Sequence, residues 1–320
     1  MRDTILYGDC RETLKQFDEQ ARTCITSPPY YGLRDYGGEE NQIGQEQTPD
    51  EFIEQLITVF KEVRNVLRDD GTCWVNLGDS YYNYRPGKGQ GLVKQSVSNT
   101  KQDLPDVCPR RGNRIEGLKE KDLIGIPWQF AFAMRADGWY LRQDIIWHKP
   151  NPMPESVRDR CTKSHEYIFL FSKSKKYYYD NEAIKEPAKD WGTRDRTKGK
   201  YHNEGTGLQP HSGLTKSYPT KNKRSVWTVT NKPYREAHFA TYPPDLIEPC
   251  IKAGSQVGDI ILDPFMGSGT TAAVAKSLGR DYIGCELHED YGNLIEKRVQ
   301  EYKPVQEVSQ ETCINILDII

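Results

Sequence analysis

The sequence predicts a three-layer α/β fold around a mostly parallel sheet, and three stretches carry that expectation. Ile260-Ile261-Leu262-Asp263 runs into Pro264-Phe265-Met266-Gly267-Ser268-Gly269 and then Thr270-Thr271, the pattern of a buried strand, a glycine turn and a helix. Asp281-Tyr282-Ile283-Gly284-Cys285 is a second apolar strand, and its acidic tip, Glu286, lies 17 residues beyond Gly269. Thr23-Cys24-Ile25-Thr26 is a third strand, halted by Ser27-Pro28-Pro29-Tyr30. Each proline fixes its own φ, lacks an N–H and pushes the preceding residue into an extended conformation. The carbonyls of Ser27 and Pro28 are therefore held as acceptors beside a hydroxyl and an aromatic face. That set suits a flipped nucleobase, which offers an exocyclic amine and a π-face. Taken alone, the same residues also suit an ordinary Pro-Pro turn.

The totals bound the classes. The 320 residues are enough for one large domain with insertions or two modest ones; 36% are hydrophobic, and the formal charge is −2. Mean hydropathy is −0.78, and no apolar run approaches the ~20 residues of a membrane helix. Met1-Arg2-Asp3-Thr4 opens the sequence without an apolar leader, so a cytoplasmic protein is expected. The eight cysteines are scattered singly, with no C-x-x-C pair, so free thiols are expected and no metal site. Charge is unevenly spread. Residues 185–235 hold twelve Lys/Arg against four Asp/Glu, and residues 81–122 nine against five, leaving −14 for the remainder (−2 less 12). An acidic body with two basic insertions is expected when part of a protein faces phosphates; solvated surface loops are the other reading.

In chain order, Ile5-Leu6-Tyr7 is a strand ending at Gly8-Asp9-Cys10, where Asp9 is either a ligand acceptor or the N-cap of a helix over residues 11–17. Residues 31–38, with three glycines, read as a flap or a plain loop. Thr48-Pro49-Asp50-Glu51 opens a helix whose apolar face is Phe52, Leu56, Phe60, Val63 and Leu67, with Asp69-Asp70-Gly71 as its end. Residues 73–77 form a strand closing on Gly78-Asp79-Ser80, a polar end for which structural capping is the expected role and lining a base pocket the other reading. Gly87-Lys88-Gly89 in the first insertion lacks the spacing of a phosphate loop. Residues 127–136 form a helix, and residues 143–147 a strand expected to be buried on both faces, running into His148-Lys149-Pro150-Asn151. Residues 166–171 are an apolar strand and residues 225–229 another. Pro243-Pro244 start a helix with Gly254 as its stop, residues 290–302 form the last helix, and residues 312–320 are an optional edge strand.

Two motifs in a set order, Ser27-Pro28-Pro29-Tyr30 early and Phe265-x-Gly267-x-Gly269 late, resemble those of S-adenosylmethionine-dependent DNA amino-methyltransferases (N4-cytosine/N6-adenine type) of the permuted beta group. The resemblance implies a circularly permuted methyltransferase (Rossmann-like) core with basic insertions for DNA. Residues 1–80 would be the catalytic half, 81–122 a flexible insertion, 123–184 further core, 185–235 the target-recognition region and 236–320 the cofactor-binding half. It implies Ser27, Pro28, Pro29 and Tyr30 as catalytic. It implies Asp9, Cys10, Phe239, Ala240, Thr241, Asp263, Pro264, Phe265, Gly267, Ser268, Gly269, Thr270 and Glu286 around S-adenosylmethionine, with Asp263 on the methionine amine and Glu286 on the ribose. The Trp-x-Lys-Pro-Asn segment at 147–151 would lie near the target base. Arg194, Arg196, Lys198, Lys221, Lys223 and Arg224 become candidates for double-stranded DNA. A homodimer and a cognate restriction endonuclease are the implied partners. Ser27 leans toward cytosine N4, with adenine N6 as the alternative; RNA or protein methylation and a nicotinamide-dependent dehydrogenase are more distant ones.

Overall fold

The computed structural model describes residues 1–18, 20–32, 42–82, 115–188, 219–231 and 242–302. Its strands are β1 (Thr4–Tyr7), β2 (Ala21–Thr26), β3 (Leu67–Leu77), β4 (Tyr140–His148), β5 (His165–Ser172), β6 (Glu186–Pro187), β7 (Thr220–Lys221), β8 (Val226–Thr228), β9 (Ile260–Asp263) and β10 (Asp281–Glu286). Its helices are α1 (Cys10–Thr13), α2 (Pro49–Val66), α3 (Ile126–Ala136), α4 (Pro244–Gly254), α5 (Thr270–Ser277) and α6 (Gly292–Glu301). Eight strands form one sheet in the order β1-β10-β9-β2-β3-β5-β4-β8. All pairings are parallel except the two made by β5, so the expectation of a mostly parallel sheet holds. β1 lies beside β10, so the first strand of the chain pairs with the last described one.

Alternation along the strands builds three layers. On β5, Phe169 and Phe171 face a cluster with Phe52, Phe60 and Val63 of α2 and Phe130 of α3. Ile168 and Leu170 face the other way, into a cluster with Leu246 and Ile251 of α4 and Ala272 and Val274 of α5. With period-2 side chains, that leaves apolar residues on both faces and a helical layer over each. Burying each large apolar side chain contributes about 1.5–3 kcal/mol.

Helix α2 starts as expected. Thr48 Oγ1 accepts from Glu51 N at 3.2 Å, and Glu51 Oε2 accepts from Thr48 N at 3.2 Å, a closed capping box. Its end differs: Leu67 leaves the helix with φ −76° and ψ 145° and begins β3, paired with Ala21. Pairing with β2 outweighs the helical spacing of that residue, and β3 runs through Asp69-Asp70-Gly71 instead of starting at Cys73. β4 is buried at Ile145 and Trp147 on one face, whereas on the other Asp144 is exposed and Ile146 half-buried, because the α2–α3 layer reaches it only near Leu141. Gly254 is the last helical residue of α4 and Ser255 caps it. The final helix begins at Gly292, after a 3-10 turn over Glu289–Tyr291. The flap beyond Gly32, most of the first insertion and residues 312–320 lie outside the described residues. Within them, six cysteines are free and no acidic, His or Cys cluster could hold a metal.

Candidate active site

The chain order puts a switch point between β9 and β2. From β9 the chain goes on to β10 on one side, whereas β2 leads to β3 on the other. A crevice opens at the carboxyl ends of parallel strands at such a point. Those ends carry Asp263 and Thr26, and Thr26 Oγ1 donates to Asp263 Oδ1 at 2.6 Å. The glycine turn after β9 and the Pro-Pro loop after β2 are thus tied at their roots.

In the turn after β9, Gly267 and Gly269 have φ of +54° and +79°. Gly267 N donates to Glu286 Oε2 at 2.7 Å and His288 N to Glu286 Oε1 at 3.1 Å. Burial pushes the Glu286 carboxyl above its ordinary range against the pull of these two N–H groups. Beside it, Tyr7, Gly8, Leu287, His288, Glu289 and Asp290 line a cleft of about 340 Å³. Pro264 is buried and Phe265 half-buried. Ser268 is turned to α6, where the Arg298 guanidinium donates to its hydroxyl, and Thr270 opens α5 in the interior.

Two acidic candidates are already engaged. Asp263 is 1% exposed and accepts from Thr26, Phe265 N (3.0 Å), Tyr242 OH (3.0 Å) and Thr271. Burial raises its pKa, and these hydrogen bonds offset that only in part. It braces β9, β2, α5 and Tyr242. Asp9 caps α1 through Arg11 N and holds the Arg11 guanidinium at 2.5–2.9 Å. Desolvation works against its charge, yet the Arg11 hydrogen bonds hold the carboxyl below its ordinary range. The Cys10 thiol is buried and burial pushes its pKa well up, which leaves its backbone for any ligand contact. Phe239, Ala240 and Thr241 lie outside the described residues.

The catalytic candidates stand at the end of β2. Ser27 Oγ donates to Asn76 Oδ1 at 3.4 Å. Pro28 is buried, and Pro29 and Tyr30 are half-buried. The Tyr30 ring lies on Gly78, where a Cβ would come within 2.6 Å of Tyr30 Cε2. Tyr30 OH donates to Glu166 Oε2 at 2.7 Å and stands 3.3 Å from Asn76 Oδ1. Lys149 Nζ pairs with Glu166 Oε1 and sits 4.1 Å from the centroid of the Trp147 ring. Four neighbouring strands converge here. Because β5 is antiparallel, its beginning (Glu166) meets the ends of β2, β3 and β4. Asp79 is structural, as expected: its Oδ1 accepts from Gly125 N and Ile126 N at the start of α3.

Sequence reasoning missed Asn76, Glu166, Tyr242 and the Thr26–Asp263 link. Asn76 did leave a signal, a lone amide within Trp74-Val75-Asn76-Leu77, and it is 5% exposed. Glu166 left none, since its role depends on the direction of β5. Among the DNA candidates, Arg194, Arg196 and Lys198 lie outside the described residues. Lys221, Lys223 and Arg224 gather around Glu186 at 3.9, 3.8 and 3.3 Å, at the β6–β7 ladder.

A sheet with this switch point, glycine turn and Pro-Pro loop defines a nucleotide-cofactor enzyme of the methyltransferase class, and comparison with known proteins agrees. A model of the N6/N4 DNA methylase family matches residues 21–297, and the chain belongs to that family; it is a DNA methyltransferase. It is 45% identical over 301 residues to the type II methyltransferase M.SmaI of Serratia marcescens, covering 92% of this chain and 90% of that one. It is 45% identical to M.XycI of Xanthomonas campestris pv. cyanopsidis, covering 93% and 87%. Among solved structures it resembles PvuII DNA methyltransferase, described as cytosine-N4-specific, with TM-score 0.61, 18% identity and coverage of 97% and 89%. It also resembles a putative DNA modification methylase of Thermus thermophilus complexed with S-adenosyl-L-methionine, with TM-score 0.57, 22% identity and coverage of 94% and 95%. No helix among the described residues is long and apolar enough to cross a membrane.

Proposed function

We propose that this DNA methyltransferase transfers a methyl group from S-adenosylmethionine to cytosine N4 of a base flipped out of double-stranded DNA. The observation that carries the reading is the Thr26–Asp263 hydrogen bond of 2.6 Å, which ties the cofactor turn to the amine-binding loop on adjacent strands. The residues fit the cofactor: a Cβ at Gly267 would meet nothing nearer than 3.9 Å, and the cleft lined by Tyr7, Gly8 and Leu287 begins one residue beyond Glu286. Glu286 would accept from the ribose hydroxyls, and the turn from Pro264 to Thr270 would hold the rest, with Asp263 fixing its shape from behind. The cofactor supplies an electrophilic methyl group on a sulfonium.

The chain's own part is to position and polarise the amine. Ser27 Oγ and the Pro28 carbonyl accept its hydrogens, which localises the nitrogen lone pair, while Pro29 holds the loop rigid; one of these hydrogens leaves as a proton to solvent once the nitrogen carries the methyl group. Tyr30 has one face on Gly78 and offers the other to the base. Such positioning and fixed dipoles account for the rate without a covalent enzyme intermediate. Lys221, Lys223 and Arg224, with Arg194, Arg196 and Lys198, would grip phosphates. A homodimer, a cognate restriction endonuclease and a cytoplasmic setting complete the proposal.

The test is to incubate the protein with S-adenosylmethionine and mixed-sequence duplex DNA, digest to nucleosides and weigh the methylated one. N4-methylcytosine is expected. N6-methyladenine would overturn the choice of base, and no methylated nucleoside from DNA would overturn the substrate.

A further inference from the structure

Ser27 poses a chemical question: to accept a hydrogen from the target amine, its hydroxyl must send its own proton elsewhere. Asn76 receives it. The carbonyl of Tyr167 can only accept, and Asn76 Nδ2 lies 3.1 Å from it and 3.3 Å from Glu166 Oε2. The nitrogen side of the amide is thereby fixed, and Oδ1 faces Ser27 Oγ at 3.4 Å. Glu166 Oε2 takes the Tyr30 hydroxyl as well, at 2.7 Å. A carboxylate 14% exposed would be costly without a countercharge, and Lys149, 16% exposed, provides it at Oε1.

We propose that Glu166, neutralised by Lys149, is a positioning residue of the methyl transfer. Through Asn76 it makes Ser27 an acceptor toward the amine, and through the Tyr30 hydroxyl it sets the plane of the stacking ring. The inference rests on the amine-methylation reading above. It adds Glu166, to which no motif pointed, and gives Lys149, already in the Trp-x-Lys-Pro-Asn segment after β4, a stated task. Neither belongs to the glycine turn or the Glu286 cleft, so their loss should leave cofactor binding alone.

The test measures single-turnover methyl transfer from labelled S-adenosylmethionine to unmethylated bacterial genomic DNA, with cofactor Kd by calorimetry. E166A is expected to lower the rate about 100-fold, the scale of losing one preorganised active-site hydrogen-bonding group, with Kd within about twofold. E166Q keeps an oxygen for Tyr30 OH and the Asn76 amide, so it should recover about tenfold of that loss, which a space-filling role alone would not explain. Adding Y30F to E166A should slow transfer less than about threefold further, because the two substitutions break one contact. An E166A rate within about threefold of wild type overturns the inference, as does an equal loss of rate and cofactor affinity in E166A and E166Q. Fully additive effects with Y30F overturn it too. Should E166A fail to fold, E166M, which fills the space and offers no acceptor, takes its place in the cycle with Y30F, with additivity as the refuting result. A wild-type protein that methylates no DNA defeats the underlying reading, whereas an active wild type with unaffected variants defeats this inference alone.

Discussion

The two glycines of the turn after β9 offer a graded test of what each is for. At Gly269 the backbone φ is +79°, and a Cβ would lie 2.9 Å from Ile295 Cγ2 and 3.1 Å from Ile295 Cα on α6. Gly269→Ala therefore carries about 1 kcal/mol for a left-handed alanine and about 1–3 kcal/mol for overpacking against a helix backbone that cannot step aside. At Gly267 φ is +54°, and the nearest atom to a Cβ, Phe265 O, is 3.9 Å away. Gly267→Ala then carries the conformational cost alone, about 1 kcal/mol. Urea unfolding of the cofactor-free protein should show G269A losing about 2 kcal/mol more than G267A. Cofactor titration of the folded variants should show the reverse ranking, with G267A the weaker binder, because its methyl group occupies space that the proposed function gives to the ligand. Equal unfolding midpoints would refute the role of Ile295. An unchanged cofactor Kd in G267A would refute the placement of the ligand against this turn.

Two further outcomes follow from the buried and half-buried carboxylates. Thr26→Val keeps the shape but takes one of four donors from Asp263, and hydrogen bonds to charged groups contribute about 1.5–3 kcal/mol; urea unfolding should register a loss of that size, and an unmoved midpoint would refute the brace. Asp9, whose carboxyl is held below its ordinary value of 3.8 by Arg11, contributes stability that is present above that value and lost as pH falls through the lowered one. The melting-temperature gap between wild type and Asp9→Asn should accordingly be widest near neutrality and close in acid; a gap independent of pH would count against the Asp9–Arg11 pair.

Several pieces of this protein were legible in the sequence because their causes are local. The capping box at Thr48, the φ restriction of Pro28 and Pro29, and the glycines before Thr270 act within a few residues, so α2, the Pro-Pro loop and the turn after β9 stand where the sequence puts them. Periodicity likewise predicted apolar strands at residues 166–171, 260–263 and 281–286, and the order of the two motifs anticipated a permuted core. Tertiary structure decided the rest, because it depends on which strand lies beside which. Leu67 follows its helix in spacing but joins β3 because Ala21 is there to pair with it. Asp9 and Asp263 carry carboxylates that sequence offers to a ligand, and only the fold shows that they also hold Arg11, Thr26, Tyr242 and Thr271. Glu166 reads as the start of a core strand; only the antiparallel run of β5 between β3 and β4 brings it to Tyr30, Asn76 and Lys149. Sequence names the chemistry each residue can do, and sheet order and strand direction choose the partner it does it with.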